Sequence, residues 1–201
     1  MRAGSLSHVV TVLAAFALAA PVAAQHAHGE HAAALPTQGL RAEMVADVTA
    51  LESKYLGLLD AMAGKLDWRP AEGVRSAGEV FMHIAGANFM MPMMAGVQPP
   101  EILSAADMPE AMQRMQALEK ESDPSNMREM LAHSFMHAKH AIASIPDAEM
   151  DAMTSMFGRD ATKREVLSAL VTHMHEHLGQ SIAYARVNGI VPPWSGGGGA
   201  P

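Results

Sequence analysis

Four long segments of this chain carry apolar residues at intervals of three and four, and no run alternating apolar with polar residues stands out. A recurrence near 3.6 puts one apolar stripe on a helix, so the chain is predicted to be all-α. The first helix spans about Leu40 to Met62, with Met44, Val48, Leu51, Tyr55, Leu58 and Met62 on its stripe. The second starts at Ser76, where Ser76 and Glu79 have capping-box spacing, and runs through Val80, Phe81, Ile84 and Phe89 toward Pro92. Pro99 and Pro100 break the chain, and Pro109 to Glu121 reads as a short connecting helix opened by its proline. The third long helix follows Pro124 and turns Leu131, Phe135, Ala138, Ile142 and Ile145 inward. A further helical turn is predicted over Asp147 to Met156, ending near Gly158. The fourth helix begins near Thr162, with Glu165 completing a second capping box, and carries Val166, Leu170, Val171, Met174, Leu178 and Ile182. Asn188-Gly189 is its stop signal. Four such helices make a four-helix bundle, and the long connection between helices two and three leaves room for a crossover.

The ends of the chain differ from its middle. Arg2, the apolar run Val9 to Ala20 and the small residues Val22-Ala23-Ala24 read as a secretory signal over residues 1–24. The run is shorter than the roughly 20 apolar residues of a membrane-spanning helix. Residues 25–38 are expected to be a flexible His-containing lead-in, 39–193 the bundle domain, and 194–201 a Gly-rich flexible tail. About 175 residues after the signal suffice for one domain with a real core. The expected location is periplasmic or secreted, with no membrane association after signal cleavage. The chain has no cysteine, which excludes a disulfide framework and a lipoprotein attachment. A net charge of −7 with no Lys/Arg cluster argues against nucleic acid as a partner.

Among 11 histidines, His173 and His177 stand four apart on the fourth helix. Side chains at that spacing share a face, about 5–6 Å apart at Cβ, and can bite one ion. They interrupt a stripe that also carries Val166, Leu170 and Tyr184. Burying each imidazole without a partner costs on the order of 1–3 kcal/mol, which a metal ion or hydrogen bonds must offset. His175, between them, points nearly the opposite way. His83 stands among Val80, Ala87 and Met90 on the second helix, as a third ligand or as a core histidine satisfied by hydrogen bonds; spacing does not decide which. Three imidazoles on one ion leave a position open for water or substrate, as catalytic metal sites do. Gly179 costs about 1 kcal/mol relative to alanine inside a helix, and is expected to mark a close helix contact or an approach needed by the site.

Other residues also have metal-like spacing. His133, His137 and His140 lie off the inner face of the third helix and read as a solvated flank rather than a second site. His26, His28 and His31 form a short tract of the kind that binds copper or nickel, or simply stays disordered. Met90, Met91, Met93 and Met94 cluster around Pro92; they offer thioethers to Cu(I), but in a chain with 4% aromatic residues they read first as core filler. Trp68 and Trp194 are expected to cap the two ends of the bundle.

Two stretches resemble a known family. Leu66-Asp67-Trp68-Arg69-Pro70 leads into Ser76-Ala77-Gly78-Glu79-Val80-Phe81-Met82-His83, and Arg164-Glu165-Val166 leads to His173-Met174-His175-Glu176-His177-Leu178-Gly179-Gln180. In this order they closely resemble the DinB-like superfamily, over about Gln38 to Pro193. The resemblance implies a DinB-like four-helix bundle holding a divalent metal ion, commonly zinc or nickel, on a histidine triad. Carried over residue by residue, the triad falls on His83, His173 and His177. It also implies that such bundles often pair into homodimers, and that some members are thiol-dependent transferases. Many members have a basic residue where this chain has Leu178, which removes a polar contact at the edge of the triad.

These observations imply an exported protein that binds one divalent metal and carries out metal-assisted hydrolysis or another reaction on a small molecule. Thiol transfer ranks lower, because low-molecular-weight thiol cofactors are made inside the cell. The reading from a different class is non-catalytic binding or sequestration of copper, zinc or nickel. No general base identifies itself: Glu79 is expected to cap its helix, and Glu176 to be solvated.

Overall fold

The computed structural model describes residues 34–100 and 108–196. The signal segment, His26, His28, His31 and the last residues of the tail lie outside the described residues. Among the described residues five helices carry the fold: α1 (Gly39–Ala61), α2 (Ala77–Met90), α3 (Met108–Leu118), α4 (Pro124–Ser144) and α5 (Lys163–Val187). α1, α2, α4 and α5 are the four helices of an all-α bundle. Local chemistry sets their ends. Both predicted capping boxes are present, Ser76 with Glu79 and Thr162 with Glu165, while Asp123 accepts from the backbone N–H groups of Ser125 and Asn126 ahead of Pro124. α5 stops at Asn188, where Gly189 takes φ 74° and the Ile190 N–H turns back to the Ala185 carbonyl. That turn satisfies carbonyls the helix leaves unpaired.

Side-chain pairs fix the helix directions. Arg41 meets Asp147, Lys139 meets Glu52 and Arg128 meets Asp60, so residue numbers fall along α4 as they rise along α1 and the two are antiparallel. Gly78 packs on Met127 and Asn88 donates to Ser134, so α2 and α4 are parallel. Asp47 pairs with His175 near the middle of α5, and Gly57 packs on Pro193 beyond its end, so α1 and α5 are also parallel. Two parallel pairs need a connection that returns the length of the bundle. α3 supplies it, running back along α2 with Met115 against Gly86 and Glu119 paired with Arg75. The crossover for which the long connection left room is therefore present.

The core lies where the four stripes meet. Val48, Leu51, Tyr55 and Leu58 of α1, Phe81 and Ile84 of α2, Leu131 and Phe135 of α4, and Val166, Leu170 and Met174 of α5 are all fully buried. Tyr55 sits at its centre, edge-on to Phe81 at 6.2 Å and tilted against Phe135 at 5.4 Å. Met90, Met91 and Met94 are buried at the end of α2 and in the 3-10 turn that follows it, which bears out their reading as filler.

Two expectations are corrected. Only Asp147–Glu149 forms a 3-10 turn in the segment predicted as a helical turn; the rest is a hairpin of β1 (Met153–Met156) and β2 (Arg159–Thr162). Met153 pairs with Thr162 and Met156 with Arg159, around a two-residue turn in which Phe157 and Gly158 have φ of 51° and 82°. Positive φ at both turn positions matches the twist of paired strands and cannot continue a helix. The two tryptophans do not cap opposite ends. Trp68, just past α1, stacks edge-on with Tyr184 at 5.3 Å, and Trp194 follows the Pro193 that packs on Gly57 late in α1, so both stand at the end where α1 and α5 finish.

Candidate metal centre

α2 and α5 are antiparallel neighbours, and each presents histidine where its apolar stripe meets the other. His83 lies one turn from Val80 and Ala87, and His173 and His177 flank buried Met174. The three rings converge. Centroids stand 5.2 Å apart for His83 and His173, 4.8 Å for His83 and His177, and 4.5 Å for His173 and His177. One ring nitrogen from each lies within 4.8 Å of the other two, an arrangement that could hold a metal ion. Nitrogens on a single tetrahedral ion, each about 2.0–2.1 Å away, stand roughly 3.3 Å apart.

The hydrogen bonds around the rings favour the same use. His83 Nδ1 lies 2.8 Å from Glu119 Oε1, and His177 Nδ1 lies 2.7 Å from Gln180 Oε1. A carboxylate can only accept, so His83 Nδ1 carries the proton and Nε2 keeps its lone pair. Gln180 in turn donates from Nε2 to the Tyr184 hydroxyl at 2.8 Å, which turns its carbonyl oxygen toward His177. In both rings Nδ1 is engaged and Nε2 remains for an ion.

Burial disfavours the charged form of two of the rings. Burial holds the His173 pKa down at about 4, with the neighbouring His177, His83 and Arg75 lowering it further. Burial also lowers His83, outweighing the Glu119 carboxylate that pulls it upward. Neutral imidazole is the form that binds a metal. The donor set of three imidazole nitrogens fits a divalent metal ion.

Most other sequence-selected residues lie elsewhere. His175 faces away, as expected, and pairs with Asp47 of α1 at 2.9 Å. Glu79 is the capping carboxylate of α2, and backbone hydrogen bonding at Ser76 holds its pKa below the usual range. Glu176 is exposed. His133 is exposed and His140 half-buried, while His137 is tucked against Phe89 at 5.6 Å with no hydrogen-bond partner for its Nε2. Among the described residues, no second histidine or carboxylate cluster accompanies the triad. Gly179 reverses its expectation: it is exposed, and a Cβ there would meet nothing within 4 Å. The close approaches are at Gly78 and Gly86, where a Cβ would lie 2.9 Å from Met127 and 3.2 Å from Met115. Leu178 is buried in the core.

Glu119 and Arg75 are the neighbours that spacing did not reveal. Glu119 bridges His83 and Arg75, with Arg75 Nε 2.9 Å from Oε2 and Nη2 3.2 Å from Oε1. Gln180 lies within the recognised motif, but only its bond to His177 assigns it a part in the site.

A family model described as the DinB superfamily matches residues 48–181, more than half of the chain. The matched span contains His83, Glu119, His173, His177 and Gln180. Comparison with curated proteins gives no match.

Proposed function

The chain belongs to the DinB superfamily, and from that premise we propose that it is an exported protein binding one divalent ion, zinc or nickel, through His83, His173 and His177. Its use is metal-assisted hydrolysis or another reaction on a small molecule. The observation that carries this reading is the convergence of three imidazoles from α2 and α5, two of them held by hydrogen bonds at Nδ1. A bound ion of this kind supplies Lewis acidity and brings the pKa of a coordinated water toward 7. The chain's own part is to hold the nitrogens. α5 sets His173 and His177 four residues apart on one face, α2 brings His83 across, and the surrounding core limits the directions from which solvent enters. Three protein ligands leave room for water or a substrate atom. Export is supported by the signal-like pattern of residues 1–24.

One observation favours a second reading, in which the protein binds the ion without turnover. Glu119, the carboxylate hydrogen-bonded to the triad, is already shared between His83 and Arg75 and is not free to take a proton from water. Metal analysis of protein purified without chelators, beside His83→Ala and His177→Ala, tests the site. One equivalent of ion, lost in both variants, is the expected result. Several ions surviving both substitutions favour dispersed sequestration, and a wild-type protein without bound metal contradicts both readings. Turnover of ester, amide or phosphoester probes by the loaded protein, absent in His83→Ala, then separates catalysis from binding.

A further inference from the structure

We infer that Glu119 is a positioning residue for the metal centre, and that the crossover helix exists in part to deliver it. The inference rests on the three-histidine reading above. Glu119 directly follows α3, and its backbone N–H bonds to the Met115 carbonyl at 3.0 Å, so the helical path continues through it. Met115 and Glu119, four apart, share one face of that path, and Gly86 and His83, three apart, share one face of α2. They meet as two rungs of one contact. At the first rung a Cβ on Gly86 would stand 3.2 Å from Met115, so the absence of a side chain lets α3 close on α2. At the second rung the Glu119 carboxylate reaches His83 Nδ1 at 2.8 Å.

The carboxylate is held in turn. Arg75, just ahead of the α2 cap, grips both of its oxygens through Nε and Nη2. A paired guanidinium and carboxylate make a planar fork that resists rotation. Glu119 and His83 are 18% and 16% exposed, so their contact is sheltered, whereas Arg75 at 43% reaches solvent. Glu119 therefore fixes the His83 tautomer, aims Nε2 at the other two rings and makes the ring a better donor, as carboxylates behind metal-bound histidines do. Gln180 does the neutral version of the same task at His177. The three ligands are thus unequal: His83 has an anionic partner and His177 an amide.

The test is a competition titration of the full chain with zinc against a chromophoric chelator, paired with urea unfolding of the metal-free protein. Glu119→Gln should bind zinc roughly 10- to 100-fold more weakly, the range found when such outer partners are removed, with little change in the metal-free unfolding midpoint. Arg75→Met, which leaves the carboxylate but frees it to rotate, should weaken zinc binding several-fold and covers the case in which Glu119→Gln fails to fold. Zinc affinity within twofold of wild type in either folded variant overturns the inference. So does a loss of affinity matched by an equal loss of metal-free stability, because that is the mark of a purely structural ion pair. A wild-type chain that binds no zinc or nickel sinks the three-histidine reading itself, and the inference with it.

Discussion

The Tyr55 hydroxyl donates a 2.6 Å hydrogen bond to the carbonyl oxygen of Met174, tying the C-terminal half of α1 to the turn of α5 between His173 and His177. Burial keeps the Tyr55 pKa far above its ordinary value, so the hydroxyl remains a donor at any pH the fold survives. The histidine-bearing face of α5 is therefore fixed from behind by a buried bond as well as by packing against α2.

Tyr55→Phe keeps the ring contacts with Phe81 and Phe135 and removes only that donor. A net loss of about 1–2 kcal/mol in urea unfolding is expected, the usual range for one buried hydrogen bond. An unchanged unfolding midpoint would show that the bond contributes nothing to holding α5.

Two glycines should respond in opposite directions. Gly179→Ala adds a methyl where nothing lies within 4 Å, so the better helix former should raise stability by roughly 0.5–1 kcal/mol. Gly86→Ala drives a methyl against Met115, and overpacking of about 1–3 kcal/mol should exceed the propensity gain. Equilibrium unfolding of both variants measures this. A destabilising Gly179→Ala would restore the view that this glycine marks a close approach.

What the sequence made legible followed from local physics. The stripes on α1, α2, α4 and α5, the Ser76 and Thr162 boxes and the Asn188-Gly189 stop each depend on residues within a turn or two of one another. The His173 and His177 pair was legible for the same reason, and the family resemblance attached His83 to it. The hairpin was not, because four-residue strands are too short to display alternation and Phe157 gives no sign of adopting positive φ. Gly179 misled because a helical glycine costs the same whether it faces a neighbour or solvent. Glu119 lies 36 residues from His83, and only the path of the crossover brings them together.

His137 should make stability depend on pH. Burial lowers its pKa, with His140 adding to the effect, and its Nε2 is enclosed without a partner. The unfolded chain takes up a proton near the ordinary histidine value of about 6.5, while the folded chain resists it until lower pH. Its contribution is therefore complete above about pH 6.5 and is lost as pH falls through the depressed folded value. Metal-free His137→Leu should show a smaller drop in unfolding midpoint between pH 7.5 and pH 5.5 than wild type; an equal drop contradicts this assignment.

In the proposed site His83, His173 and His177 hold one ion together. X-ray absorption at the edge of the bound metal reads the ligands directly. Three imidazole nitrogens at about 2.0–2.1 Å with one further light ligand are expected, and loss of one imidazole in any ion retained by His83→Ala. A shell containing methionine sulfur, or one with fewer than three imidazoles in the wild-type protein, contradicts it.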